Sequence, residues 1–242
     1  IVQDLGILKL DIPPIALHAS TQTDNRTVEK VQFLQKCGFE RIVLARETPL
    51  ELIEKIYKQT LAELEVFVHG ALCVSYSGQC YMSYANCGRS ANRGECAQYC
   101  RLPYSLQDAN GNILLKNKHL LSLKDLNRAN FLEDLINAGV MSFKIEGRMK
   151  EANYVKNITA FYRKKLDAIL EHQPERKRSS FGKSTFFFNP IAEKSFHRGN
   201  TDYFLFERSK NMVQLATPKS LGEYIGVVSQ TQRKSIEIDT KI

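Results

Sequence analysis

Long apolar segments are missing from this sequence, and no stretch approaches the roughly 20 apolar residues that a membrane-spanning helix needs. Its start, Ile1-Val2-Gln3, carries neither the charged region nor the apolar region of a secretory signal peptide. It also lacks an initiating methionine, so we expect a chain cut from a longer protein. Together these absences predict a cytoplasmic protein with no membrane partner.

Familiar hydrolase and nucleotide-binding motifs are also absent. The sequence has no Gly-x-Ser-x-Gly turn of a serine hydrolase and no His-Glu-x-x-His helix of a zinc peptidase. No glycine-rich phosphate-binding loop follows any of the strands predicted below. These absences argue against two common peptidase classes and against an open dinucleotide-binding sheet.

Charge is unevenly distributed along the 242 residues, which carry a net charge of +8. Hydrophobic residues at 43% and charged residues at 25% are ordinary for a globular protein, so a folded core is expected. Excess positive charge favours anionic partners such as RNA, although a soluble protein that is merely basic would have the same composition. The basic residues crowd one segment: Lys144, Arg148, Lys150, Lys156, Arg163, Lys164, Lys165, Arg176, Lys177, Arg178 and Lys183.

Short apolar runs alternate with amphipathic segments in the first part of the chain. The apolar runs have the length of strands and predict them at 15–19, 41–47, 64–70 and 141–145. The amphipathic segments predict helices at 27–37, 50–63, 125–138 and 152–171. A turn-rich segment predicts a hairpin at 104–115. Strands that alternate with helices are typical of a parallel sheet, so the predicted fold class is α/β.

Three breaks in this pattern divide the chain. Residues 71–103 have no periodicity, and a loop of that length is usually functional. Residues 172–180 are polar and predict a linker. Residues 181–242 contain short β-like runs at 186–188, 203–206 and 224–228, which predict the start of an incomplete β-rich domain.

Five of the six cysteines lie between residues 73 and 100. A chain this large, with an ordinary core, does not need disulfides, so metal binding or redox chemistry is the better interpretation. Four of them have the spacing Cys73-x6-Cys80-x15-Cys96-x3-Cys100. Thiolates suit iron–sulfur clusters or zinc, and this spacing matches neither the tight pairs of zinc sites nor the usual ferredoxin pattern. Of the other two, Cys87 is interpreted as a bystander and Cys37 as a small core residue.

Two long motifs indicate a family. Residues 65–73 with 77–83 form the first, and Phe143-Lys144-Ile145-Glu146-Gly147-Arg148-Met149-Lys150 is the second. Both resemble the collagenase-like peptidase family, as do the shorter segments 2–6, 18–22 and 44–47. The resemblance implies that residues 1–171 form the C-terminal half of a (β/α)8 TIM-like barrel, with the cysteine-rich loop inserted and the N-terminal strands lying before Ile1.

The same resemblance implies a cofactor and an activity. Cys73, Cys80, Cys96 and Cys100 are similar to the ligands of a 4Fe–4S cluster in the hydroxylating members of the family. The segment Arg101-Leu102-Pro103-Tyr104 is most similar to the branch that hydroxylates cytidine in ribosomal RNA, while other members act on tRNA. This implies oxygen-independent hydroxylation of an RNA base, with prephenate as the dicarboxylate oxygen donor. A peptidase, or an RNA-binding module with a structural cluster, is the alternative.

Barrel enzymes gather their active sites where the strands end. The barrel interpretation therefore predicts one mouth with three catalytic residues, Glu146, Arg148 and His69. It also predicts four substrate-binding residues, His18, Arg46, Glu47 and Lys144. Arginine can form two hydrogen bonds to a carboxylate or phosphate. The alternative for each acidic residue is a structural ion pair, and the alternative for each histidine is a packed position without a role in function.

Tyrosines are frequent in and beside the cysteine-rich loop. Aromatic rings stack on any base, although a lone aromatic residue is more often part of the packing. The candidates are Tyr76, Tyr81, Tyr84 and Tyr99. The sequence leaves the oligomeric state open.

Overall fold

A computed structural model describes residues 1–208 and 210–240. Its helices are α1 Val28–Lys36, α2 Leu50–Tyr57, α3 Met82–Cys87, α4 Leu132–Asn137 and α5 Ala152–Glu171. Its strands are β1 His18–Ala19, β2 Arg41–Val43, β3 Glu63–Gly70, β4 Tyr104–Gln107, β5 Ile113–Lys118, β6 Asp125–Asn127, β7 Val140–Ile145, β8 Asn200–Thr201, β9 Val227–Thr231 and β10 Ile236–Asp239.

The main sheet has six strands and is mostly parallel. Strands β1, β2, β3 and β7 lie side by side in that order and run parallel, as the alternating pattern predicts. Strand β6 pairs antiparallel with the last two residues of β3. It lies on the same edge of β3 as β2, which pairs only with the first residues of β3. The fold is therefore mixed α/β, and the described residues form no closed barrel. Assignment to half of a barrel stays a prediction.

Helices cover one face of this sheet because their apolar stripes face it. Thr27 caps α1 through its hydroxyl, which accepts a hydrogen bond from the Lys30 amide at 3.2 Å. The buried side chains of α1 and α2 pack with those of β2 and β3 in one core. No helix in the described ranges is both long and apolar enough to cross a membrane.

The prediction of a helix at 125–138 is wrong for its first part. Residues Asp125–Asn127 form β6, and α4 begins only at Leu132. The Asp125 carboxylate is buried and accepts hydrogen bonds from the amide and the guanidinium of Arg198 at 2.8 and 2.9 Å. This partner is distant in sequence, so no local pattern indicates the strand.

The β-like runs of the last part of the chain form strands only in part. Residues 186–188 and 203–206 are not strands, and of 224–228 only the last two residues belong to β9. Instead β8 pairs with β6 in the main sheet, and Leu205 is fully buried in the main core. The hairpin of β4 and β5 is confirmed. The division into two domains with a linker stays a prediction.

Candidate functional site

The cysteine-rich loop encloses a cavity of about 340 Å³ beyond the carboxyl end of β3. All four cysteines of the predicted ligand set line it: Cys73, Cys80, Cys96 and Cys100. Cys87 does not line it, since its thiol is exposed at the end of α3 and donates a hydrogen bond to the Ser83 carbonyl at 3.2 Å. The structure therefore brings together four thiols that the sequence separates by up to 27 positions.

Arg101 ties the two ends of the loop together. Its guanidinium donates to the carbonyl oxygen of Leu72 at 2.9 Å, next to Cys73. It also donates to the Ser122 hydroxyl at 2.9 Å and to the Leu123 carbonyl at 2.6 Å, where the chain returns to the sheet. Because Arg101 directly follows Cys100 and Leu72 precedes Cys73, these bonds hold the first and last cysteines of the set at the same cavity.

The two middle cysteines are held by the loop itself. The amide of Cys80 donates to the side-chain oxygen of Asn92 at 3.1 Å. The hydroxyl of buried Ser83 accepts from the Ala97 amide at 3.0 Å, beside Cys96. The amide of Gln98 donates to the Cys96 sulfur at 3.4 Å, and amide hydrogen bonds of this kind tune iron–sulfur clusters.

The four cysteines of the set line one cavity. In the described part of the chain, no three His, Cys, Asp or Glu side chains come close enough together to hold one metal ion. In a 4Fe–4S cluster each thiolate binds a different iron, so its ligands stand farther apart than those of one zinc ion. Thiolates suit iron–sulfur clusters as well as zinc, and binding of a cluster by these cysteines stays a prediction.

Burial raises the pKa of the Cys73 and Cys100 thiols. A buried thiol with a raised pKa is a poor nucleophile, because only the thiolate attacks. The ring Nδ1 of His69 lies 3.2 Å from the Tyr162 hydroxyl of α5. Among the described residues, no hydrogen bond joins a cysteine sulfur to a histidine ring.

Arg46 and Glu146 meet beside the cysteine cavity. The Arg46 guanidinium lies 3.6 Å from the Glu146 carboxylate and 3.9 Å above the ring centre of Phe67. Burial lowers the pKa of Arg46, and the Glu146 carboxylate opposes that shift. Arg46 lines the cavity, and its Nε has no hydrogen-bond partner among the described residues. It is a charged group with donor capacity left for a ligand.

Arg148 closes the same side of the cavity. Its guanidinium donates to the Gly94 carbonyl of the loop at 3.1 Å, and its amide donates to Glu146 at 3.3 Å. Glu47 contacts the loop differently: its carboxylate accepts from the Ser77 amide at 2.9 Å and from the Ser77 hydroxyl at 3.0 Å. Arg46 and Arg148 therefore line the cysteine cavity, and Glu47 contacts the loop through Ser77. Glu146 contacts Arg46 and Arg148.

Lys144 and His18 do not join this group. The Lys144 ammonium pairs with buried Glu65 at 3.2 Å within the sheet. His18 lines a separate cavity of about 420 Å³ with Arg41 and Glu63, at the end of the sheet where β2 and β3 begin. The expectation that His18 shares one mouth with Arg46 is wrong, because β1 is only two residues long and starts at His18. The roles of all these residues stay predictions.

The sequence analysis did not identify the buried cation Arg128. Arg128 is 1% exposed and donates to three carbonyl oxygens. They belong to Arg46 at 3.0 Å, Asp202 at 3.2 Å and Phe67 at 3.5 Å. Burial lowers its pKa to about 10. An isolated arginine after a strand carries no sequence signal for such a role.

Gly70 is required where β3 leaves the sheet. Its φ of +105° is in the region that favours glycine, and an added Cβ would overlap the Glu146 carbonyl. We expect Gly70→Ala to displace Glu146 and to lower the free energy of unfolding. The loss should exceed the roughly 1–3 kcal/mol of backbone strain alone. Thermal unfolding of the Gly70→Ala and Gly111→Ala variants measures the difference between their losses of stability. Gly111 has φ +85° but open space around it, so equal losses would contradict the predicted overlap.

His69 makes stability depend on pH. Burial, with a smaller contribution from His197, lowers the pKa of His69 to about 4. An unfolded histidine titrates near 6.5, so between these values the unfolded chain binds more protons and stability falls as the pH falls. The loss is up to about 3 kcal/mol at pH 4.

Denaturant unfolding between pH 7 and pH 4 measures this dependence. We expect His69→Gln to flatten the slope and His172→Gln, at an exposed position, to leave it unchanged. An unchanged slope in His69→Gln would assign the acid sensitivity to other groups.

Comparison with known proteins adds the family. A family model described as Peptidase family U32 matches residues 1–214. The 23S rRNA 5-hydroxycytidine C2501 synthase of Escherichia coli is 55% identical over 238 residues, which cover 98% of this chain and 36% of that protein. No solved structure matches this chain.

Two further relatives carry different names. The tRNA hydroxylation protein P1 of Bacillus subtilis is 38% identical over 162 residues, 64% of this chain and 38% of that protein. A protein named collagenase from Porphyromonas gingivalis is 34% identical over 167 residues, 64% of this chain and 40% of that protein. The chain thus spans between a third and two fifths of the length of these relatives.

Proposed function

We propose that this chain, which belongs to peptidase family U32, hydroxylates a base in RNA with the help of a 4Fe–4S cluster. Two of the relatives are named for hydroxylation of ribosomal or transfer RNA, and the 55% identity extends over nearly the whole chain. The single observation that supports the proposal of a cluster is the cavity lined by Cys73, Cys80, Cys96 and Cys100.

The four cysteines would hold the cluster, which supplies electron transfer when bound. Arg46 and Arg148 border the same cavity and would bind the carboxylates of a dicarboxylate co-substrate, for which prephenate is our candidate. The unpartnered Nε of Arg46 offers a donor for this purpose. Glu146 holds the Arg46 guanidinium and the Arg148 amide, so it fixes the position of both arginines.

The surface charge supports an RNA substrate. The net charge of +8 favours a polyanion, and exposed lysines on and after α5 carry part of it. Arg163 and Arg178 are an exception, since both pair with Asp167. Lys156, Lys164, Lys177 and Lys183 remain exposed for phosphate contacts.

The peptidase alternative has less support. The named collagenase shows that the family label includes proteolysis, but this chain forms no thiol–histidine pair among its described residues. Burial raises the pKa of the Cys73 and Cys100 thiols, which makes them poor nucleophiles.

RNA from cells that lack this protein tests the proposal. We expect mass spectrometry of ribosomal and transfer RNA to show the loss of one hydroxylated pyrimidine, restored when the protein is supplied. An unchanged RNA modification profile would refute RNA hydroxylation. Restoration by a Cys80→Ala variant would instead refute the role of the cluster and leave RNA modification standing.

A further inference from the structure

A second cavity, of about 480 Å³, lies next to the cysteine cavity. Val74 and Tyr76 of the cysteine-rich loop line both cavities and form the wall between them. Its size is within the range of pockets that bind small ligands, which are mostly apolar with a few polar groups. A ligand in this cavity would lie one side chain away from the proposed cluster site.

Aromatic residues form part of the cavity wall. The rings of Tyr203 and Phe204 stack with centroids 4.0 Å apart and planes 19° from parallel. Tyr203 has a φ of +64°, a region that a residue other than glycine enters at a cost in free energy. Burial of Tyr203 among Phe67, Leu123 and other core residues fixes this conformation. Flat apolar walls of this kind suit a planar ring.

Glu47 provides a carboxylate in the same wall. Each of its oxygens accepts one hydrogen bond from Ser77 and has a lone pair left for another donor. A carboxylate accepts readily from the exocyclic amine of cytosine, whereas uracil has a carbonyl at that position. Burial, with Glu47 and Cys73 nearby, raises the pKa of Tyr203 to about 12, so its hydroxyl keeps its proton at neutral pH.

We propose that this cavity binds the target base of the RNA, a cytosine turned out of its strand, between the Tyr203 and Phe204 wall and Glu47. Enzymes that modify a base take it out of the stack and hold it between aromatic or apolar side chains. Arg208, exposed at the rim 5.9 Å from the Phe204 ring, is placed for the flanking phosphate. The proposal rests on RNA hydroxylation as the function and adds where the base is held.

Photocrosslinking of the intact protein tests the position of the base. The probe is a ten-nucleotide oligocytidylate with one 5-iodocytidine, irradiated on the protein and mapped by mass spectrometry of peptides. We expect adducts on Tyr203, Phe204 or Phe206. Adducts confined to Tyr81, Tyr84 or Tyr99 of the loop, or bound probe without any adduct in the cavity, would overturn the proposal while RNA hydroxylation could still stand.

A pair of variants supplies the energetic test. Stacking on an aromatic ring strengthens binding by about fivefold or more per base, so we expect Phe204→Leu to weaken oligocytidylate binding by that factor. It should leave an abasic oligomer of the same length unaffected. Phe187→Leu, at a fully exposed ring outside the cavity, is the control and should change neither. Equal binding of oligocytidylate by both variants would overturn the proposal, and crosslinking of the wild-type chain decides the matter if Phe204→Leu does not fold.

Glu47→Gln tests the choice of base. We expect the wild-type protein to bind oligocytidylate more tightly than oligouridylate, and the variant to lose most of that preference. Glu51→Gln, on the exposed face of α2, is the matched control. A crosslink in the cavity together with an unchanged cellular RNA profile would refute hydroxylation and keep the base site.

Discussion

Protein with Cys80 replaced by alanine, purified without oxygen, will contain almost no iron or acid-labile sulfide and will not hydroxylate RNA. In a site of four cysteines each thiolate binds one iron of a 4Fe–4S cluster, and Cys80 is one of the four cysteines that line the cavity. The wild-type protein is expected to bind about four irons per chain, as one 4Fe–4S cluster requires. Iron and sulfide analysis with the visible spectrum measures the difference.

Cys87→Ala is the matched control for this result. Cys87 belongs to the same loop but is exposed and does not line the cavity. The Cys87→Ala protein should therefore keep the iron content, the visible spectrum and the activity of the wild-type protein. Zinc in place of iron in the wild-type protein would contradict the proposed cluster, as would equal iron contents in the two variants. RNA binding that survives in Cys80→Ala would separate a catalytic cluster from one that only stabilises the loop.

Replacement of Arg128 by leucine will strongly destabilise the protein. The guanidinium supplies hydrogen bonds to three carbonyl oxygens around it, and leucine supplies none. Each buried acceptor left without a donor costs about 1–3 kcal/mol, so we expect a loss of at least about 3 kcal/mol. A loss of that size is a large part of the stability of an ordinary domain.

Denaturant unfolding measures this loss, and Arg233→Leu is the control. Arg233 is exposed between β9 and β10, so its replacement should change the free energy of unfolding by no more than about 0.5 kcal/mol. Since one of the three carbonyls belongs to Arg46, a partly folded Arg128→Leu protein should also lose affinity for the dicarboxylate. Similar stability of the two variants would show that water replaces the guanidinium without penalty.

Elements with a local signal could be predicted from the sequence. The helix at 152–171 is observed as Ala152–Glu171, because its apolar stripe repeats over five turns and Pro174 follows it. The four parallel strands were predicted from their apolar runs, although β2 ends at Val43, four residues earlier than predicted. Convergence of the four cysteines followed from the family resemblance rather than from their spacing.

Features that depend on distant partners could not be predicted. Asp125 lies in a strand because it binds Arg198, which is 73 positions away. Arg128 and Arg101 act through backbone carbonyls, and a backbone carbonyl leaves no trace in the residue types of a sequence. Glu47 was expected to face substrate, and its contact with Ser77 depends on how the loop folds back over the sheet.

Because Arg101 joins the two ends of the cysteine-rich loop, the ends stay fixed while the length of the loop between them can vary. The arc around Gly88 and Arg89 is exposed and lies outside the contacts of Ser83, Asn92 and Gly94 that hold the loop in place. Insertions in this arc would lengthen the loop without moving any of the four thiols. A short peptide tag inserted in this arc is therefore expected to leave the four cysteines in place.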